Sequence, residues 1–341
     1  MAENTTSSAD VEDEDFVASD GLLIFAGFII IFMILQAIIG NTLTILSYIR
    51  DKHLRTTYNL YLINLAIADL TIASVSMTVY LTYTLRKNTW VYGYHVCKVY
   101  LVLDFLACTV TVILMNVISY DRLMLLKQGA AYYVEQNSKK AIFKMCASWV
   151  IGFLLYGPAI IGWDHWTGEN VVEPDDCDVQ FVNNTAYTTT TAVVEFFLPL
   201  TSLGVLNILV IIEIRKLRHN KVHTIQIASV QSHGSETIPN GILTKNEKAK
   251  QKSTKKATKA ARSLAILVFA FFLTWAPYTI LTVVISFCED CVIIPVYETF
   301  TWILWFKSAL NPFLYAFGSA RFRESFLYFL CCGKRQLRQV K

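Results

Sequence analysis

Seven mainly apolar stretches of about 23 to 30 residues recur along the chain, at about 21–48, 57–84, 97–126, 140–162, 186–215, 260–287 and 295–318. About 20 apolar residues in a helix cross the hydrocarbon of a bilayer. The pattern therefore predicts an all-α membrane protein, a seven-transmembrane helix bundle. The polar connections are short except 216–259, which lacks aromatics and ends in a lysine-rich run from Lys245 to Lys259. That stretch reads as a long mobile loop whose basic end continues into the sixth helix. After the seventh span, Arg321 to Leu330 alternates basic and apolar faces. It predicts a short amphipathic helix lying on the membrane surface. The chain thus divides into a polar, acidic and disordered tail (1–20), the bundle (21–318, with 216–259 as its long loop) and an amphipathic helix with tail (319–341).

Composition sharpens this picture. The chain is 54% hydrophobic and 16% charged, too little charge for a soluble domain of this size. Of thirty Lys and Arg, only Arg86, Lys87 and Lys98 fall in one set of alternate loops, and Lys307 lies inside a span. Positive-inside topology then puts the N-terminus outside and the C-terminus in the cytoplasm, as in a multi-pass plasma-membrane protein. No signal peptide is expected at the start. Asn4 and Asn183 head glycosylation sequons in segments read as external. Cys331 and Cys332 follow the amphipathic helix at the depth of reversible palmitoylation. The second and third external loops are acidic and carry no Lys or Arg, a field that steers cations.

Ionisable residues inside spans are costly and read as functional by default. Asp104 in the third span and Arg122 at its end are eighteen residues apart, five helical turns, so they share one face roughly 27 Å apart. Asp69, Glu195 and Lys307 also lie inside spans. No nucleophile–base set, metal spacing or phosphate loop is present, so no enzyme, cofactor or metal is expected, nor a nucleic-acid partner. A cation-coupled transporter would use the same charged residues, but the internal repeats that mark many transporters are not visible.

The polar marks fall in a fixed order: Gly40-Asn41, Leu65-Ala66-Ile67-Ala68-Asp69, Ser119-Tyr120-Asp121-Arg122, Trp149, Pro199, Phe271 to Tyr278 around Trp275-Ala276-Pro277, and Asn311-Pro312-Phe313-Leu314-Tyr315. In order and spacing this resembles the rhodopsin-like G-protein-coupled receptors over residues 21–331. Within that family the aminergic branch fits, since Asp104 matches its amine-binding aspartate. A carboxylate in a poorly screened cleft holds a protonated amine by a charge-assisted hydrogen bond. The finer pattern is similar to histamine receptors of the third and fourth subtypes: Leu154 to Ile160, Trp275 to Thr279, Trp305, and above all Glu195 in Val194-Glu195-Phe196-Phe197. A muscarinic acetylcholine or other monoamine receptor is the alternative; Glu195 and Thr279 speak against a muscarinic pocket, and Phe105 is not the tyrosine of histamine relatives.

The resemblance implies a ligand site of Asp104, Cys108, Glu195, Trp275, Tyr278, Thr279 and Trp305, with Tyr278 and Trp305 caging a small cationic amine by cation–π contact. Cys108 and Cys146 read as free, buried thiols. The resemblance also implies Cys97–Cys177 and Cys288–Cys291 disulfides. For transmission it implies Asp69, Phe271 with Trp275, Asn311, Pro312, Tyr315 and an Asp121-held Arg122. The partners it implies are a heterotrimeric G protein of the inhibitory type, arrestin and a receptor kinase, with the lipid bilayer around the bundle. Leu123 and Asn207 depart from the commonest family residues. So does Lys307, four residues before Asn311, where relatives usually carry asparagine and many bind sodium beside the Asp69 position. Its ammonium is expected to reach Asp69 and take the ion's place. Opsins bind retinal through a lysine seven residues before this proline; Lys307 lies five before Pro312 and faces elsewhere, which excludes retinal.

Overall fold

A computed structural model describes residues 20–129, 131–132, 137–168, 170–173, 175–181, 184–231, 245–288 and 291–331. Seven long helices follow one another: α1 (Asp20–Arg50), α2 (Thr57–Leu85), α3 (Tyr94–Gln128), α4 (Ser138–Thr167), α5 (from Thr185 to Gln231), α6 (Lys245–Phe287) and α7 (Ile294–Gly318). A shorter α8 (Ala320–Leu330) comes last. The first six are long and apolar enough to cross a membrane. The seventh has the length at 25 residues, but Lys307, Ser308 and Asn311 dilute its apolar character. It packs against α6 and α1. The chain is thus a seven-helix membrane bundle, and among the described residues there is no strand.

Local signals set the helix ends. Thr56, Asn137 and Asn184 each precede a helix and accept a backbone N–H of its first turn, from Asn59, Lys140 and Tyr187. Such side chains satisfy donors that the first turn leaves unpaired. Gly168 closes α4 with φ 73°, a backbone conformation that favours glycine. Two helices carry π-helical turns, Ile72–Met77 in α2 and Val193–Phe197 in α5.

The outer surface is apolar, unlike that of a soluble protein. Large apolar side chains such as Phe28, Phe32, Phe143 and Phe317 face outward, as a lipid-facing surface requires. Polar groups Asn41, Asp69, Ser76, Thr111 and Ser308 are wholly buried among Leu65, Leu114 and Phe271. Cys146 is on the outward face, not buried as expected, because its stretch of α4 is lipid-facing; Cys108 is buried. The long loop expected over 216–259 is corrected at its start, while its basic end continues into the sixth helix as expected. Helix α5 continues to Gln231 and α6 begins at Lys245, leaving 232–244 outside the described residues. Residues 245–259 are mostly Lys, Ala, Gln and Glu, strong helix formers, which suits their place in α6.

The first and seventh helices meet at Gly40. A Cβ there would lie 2.7 Å from Pro312 Cγ and 2.9 Å from Pro312 Cβ. Both atoms belong to a rigid ring, so Gly40→Ala pushes α1 from α7. The expected loss is about 1–3 kcal/mol, in the range of overpacked cores, read as a lower melting temperature of the solubilised protein. An unchanged melting temperature contradicts this close packing.

At the end of α7, Ser319 breaks the helix and α8 turns away. Phe322 is buried and packs on Tyr315 and Phe326. The Arg50 guanidinium lies 3.2 Å from the Tyr328 ring centroid, and Arg321 pairs with Asp51 at 3.5 Å. The expected amphipathic helix is therefore anchored to α1.

Candidate functional site

The site lies in the half of the bundle that carries the disulfides. Cys97 at the start of α3 is bonded to Cys177 of the 170–181 segment, and Cys288 to Cys291 between α6 and α7. The segment is fastened further by Trp90 N–H on the Asp175 carbonyl (2.6 Å) and Tyr83 OH on Asp176 (2.7 Å). Beyond the disulfide, Val179 and Phe181 turn inward and are buried. Phe181 packs on Tyr187 and Trp163, and its ring faces that of Tyr156. Lys98 and Asp164 tie α3 to α4 at 2.7 Å.

Below this cover, two carboxylates project from different helices. Asp104 of α3 accepts the indole N–H of Trp305 at 3.1 Å, with the Cys108 thiol at 3.9 Å. Glu195 of α5 accepts the Thr109 hydroxyl at 2.6 Å and the Tyr156 hydroxyl. Thr109 is five residues beyond Asp104 on the same helix. The Val193–Phe197 π-turn carries Glu195; such turns insert an extra residue and re-aim side chains, often at functional sites. Thr109 and Tyr156 were not singled out in the sequence, because their partner is 86 and 39 positions away.

The two aromatic residues expected to cage the amine have ring partners of their own. Tyr278 packs on Tyr297, with ring centroids 5.5 Å apart and hydroxyls 3.2 Å apart. Trp305 instead meets Tyr80 at 5.2 Å and Trp302 at 5.4 Å, edge-on. Each of the two is thus held by its own neighbours, and the indole N–H of Trp305 is committed to Asp104. Thr279 is buried, and its hydroxyl donates to the Trp275 carbonyl of its own helix. That bond supplies the hydroxyl with a local acceptor, as Thr in a helix readily finds.

Deeper in the bundle, Asp69 accepts Ser308 Oγ at 2.9 Å and Asn311 Nδ2 at 2.6 Å. Asn41 donates to the Ser308 carbonyl at 2.9 Å, joining α1 to the same network. The expected Lys307–Asp69 pair is not formed. Both Asp69 oxygens are taken by donors of α7, and the Lys307 ammonium lies 3.7 Å from the Trp275 ring centroid. Trp275 and Phe271 do pack together, at 5.1 Å. At the far end, Asp121 accepts the Tyr132 hydroxyl at 3.0 Å. The Arg122 guanidinium lies over the Tyr58 ring, 3.2 Å from its centroid, rather than on a carboxylate as expected. Pro312 meets Gly40, and Tyr315 is buried beside Phe322. Asn4, Asn183 and Cys332 lie outside the described residues, while Cys331 is exposed. Among the described residues no group of three His, Cys, Asp or Glu is placed to hold a metal.

A bundle of seven membrane helices with ionisable groups on its inner faces defines a class, and sequence comparison agrees. The family described as 7 transmembrane receptor (rhodopsin family) matches residues 40–315, and the chain belongs to it. It is a G-protein-coupled receptor of the aminergic type, not an enzyme. Among curated proteins it is similar to the histamine H4 receptor of Mus musculus, 28% identical over 354 positions that cover 87% of this chain and 90% of the relative. It is also similar to the muscarinic acetylcholine receptor M1 of Homo sapiens, 24% identical over 416 positions covering 90% and 89%.

Proposed function

We propose that this receptor responds to a small cationic amine with a hydrogen-bond donor at its other end, with histamine the best fit. Asp104 binds the ammonium and Glu195 the second polar group. The observation that carries this reading is the pair of carboxylates on α3 and α5, each already oriented by neutral donors: Trp305 for Asp104, Thr109 and Tyr156 for Glu195. An oriented carboxylate loses little freedom when ligand arrives, which favours binding. In this reading Cys108, Trp275, Tyr278, Thr279 and Trp305 complete the ligand site.

Acetylcholine is the second reading, favoured by the aromatic set of Tyr80, Trp302 and Trp305 close to Asp104 and by similarity to a muscarinic relative. A quaternary ammonium ester has no donor for Glu195, and that separates the two. Glu195→Gln is expected to lower histamine potency about 10- to 100-fold, the scale of one charge-assisted hydrogen bond, while leaving acetylcholine unaffected. Equal histamine potency in the two proteins, measured as G-protein activation, contradicts the role of Glu195.

The same reading places the N-terminus, residues 1–20, outside the cell with Asn4 and Asn183 as glycosylation sites. It places the α5–α6 connection, residues 319–341 and palmitoylated Cys331 and Cys332 in the cytoplasm. There Asp121 and Arg122 meet an inhibitory-type G protein, and arrestin and a receptor kinase act on the same face. Asp69, Asn311, Pro312 and Tyr315 couple the two ends of the bundle.

A further inference from the structure

Lys307 is buried, 4% exposed, and its ammonium has no hydrogen-bond partner among the described residues. It rests against two aromatic rings, 3.7 Å from the centroid of Trp275 and 5.7 Å from that of Phe271. Three carboxylates, Asp69, Asp104 and Glu195, are within its electrostatic reach. Among the described residues Lys307 forms no ion pair with any of them, and Asp69, Asp104 and Glu195 each accept hydrogen bonds from uncharged donors. An ammonium without hydrogen bonds in a dry interior keeps its charge only if the surrounding field is strongly negative. Three carboxylates with the face of an indole supply that field. The charge of Lys307 is therefore shared among the carboxylates, including both that face the ligand.

We propose that Lys307 is a specificity-determining residue that limits the positive charge the pocket accepts, favouring monocationic amines over dications. This rests on the reading of Asp104 and Glu195 as the ligand carboxylates. With two carboxylates alone, a diamine places one ammonium on each and gains from both. Lys307 offsets part of that field from the floor of the site, and every positive charge on the ligand is repelled by it. A like charge in the same cleft, at the effective dielectric of a protein interior, alters affinity by on the order of tenfold or more. A monocation meets this penalty once and a dication twice. A ligand with one ammonium and one neutral donor then suits the site best, because Glu195 accepts from the neutral donor without a second charge.

The test uses the full-length receptor in detergent and two probes that differ by one ammonium, pentylamine and 1,5-diaminopentane. Apparent affinities come from the rise in melting temperature with ligand concentration. Lys307→Met removes the charge and keeps a long stem whose sulfur can pack on Trp275. It is expected to improve diamine binding about tenfold more than monoamine binding. Lys307→Arg keeps the charge and is expected to keep the wild-type ratio. Where the methionine variant does not fold, Lys307→Gln removes the same charge on a polar stem and is expected to give the same tenfold shift toward the diamine. A ratio unchanged in Lys307→Met, or in Lys307→Gln where that variant is used, overturns the proposal while the amine pocket stands. An arginine variant that behaves like the methionine one overturns it too, since charge is then not the cause. If neither amine stabilises the wild type or the variants, the amine reading itself falls, and this proposal with it.

Discussion

Asp104→Asn is expected to lower amine potency by about a hundred- to a thousand-fold while leaving the receptor folded. Removing one partner of a desolvated charge pair costs about 2–5 kcal/mol, and each 1.4 kcal/mol is about tenfold. The amide oxygen of asparagine can still accept the Trp305 N–H that Asp104 accepts at 3.1 Å, so the contact between α3 and α7 survives. The loss then belongs to the ligand and not to the fold. Agonist potency with surface abundance from antibody staining checks this. Full potency at normal abundance removes Asp104 from the site.

The second large effect is expected from the disulfide between Cys97 and Cys177. The two cysteines are 80 positions apart, and closing so long a loop constrains the unfolded chain strongly. Cys97→Ser with Cys177→Ser is expected to cost about 2–5 kcal/mol, within the range for native disulfides. The damage reaches the site because Val179 and Phe181 follow Cys177 directly. Phe181 is the ring that faces Tyr156, and Tyr156 holds Glu195. Cys288 and Cys291 are three positions apart, so their bond closes almost no loop. Replacing them with serine is expected to lower the melting temperature less than half as much. Equal losses for the two pairs contradict the account of what the longer bridge does.

Much of the bundle was legible because a bilayer imposes a length on each helix, and that length shows in hydropathy. Asp104 and Glu195 were legible because a charge inside an apolar run stands out. Their orienting partners were not. Thr109 reads as one more small residue in an apolar helix, and Tyr156 as one more aromatic. Only the tertiary fold brings both to Glu195. The π-turn at Val193–Phe197 has no reliable sequence signature, though Pro199 just beyond it marks the region as one where helical hydrogen bonds are already broken. Lys307 was visible as an anomaly, but its direction was not. A long flexible stem reaches many places; Asp69 accepts Ser308 and Asn311 from the same helix, and the ammonium sits on the Trp275 face instead. The basic run from Lys245 was read as continuing into the sixth helix and does so, whereas the extension of α5 to Gln231 had no comparable mark.

The most direct test is G-protein activation in cells expressing the full chain, across histamine, acetylcholine and the common monoamines, with Asp104→Asn alongside. The account predicts activation by an amine, with histamine the most potent, and loss of that response in the variant. Silence toward every amine with receptor present at the cell surface contradicts it, as does a response that Asp104→Asn leaves intact.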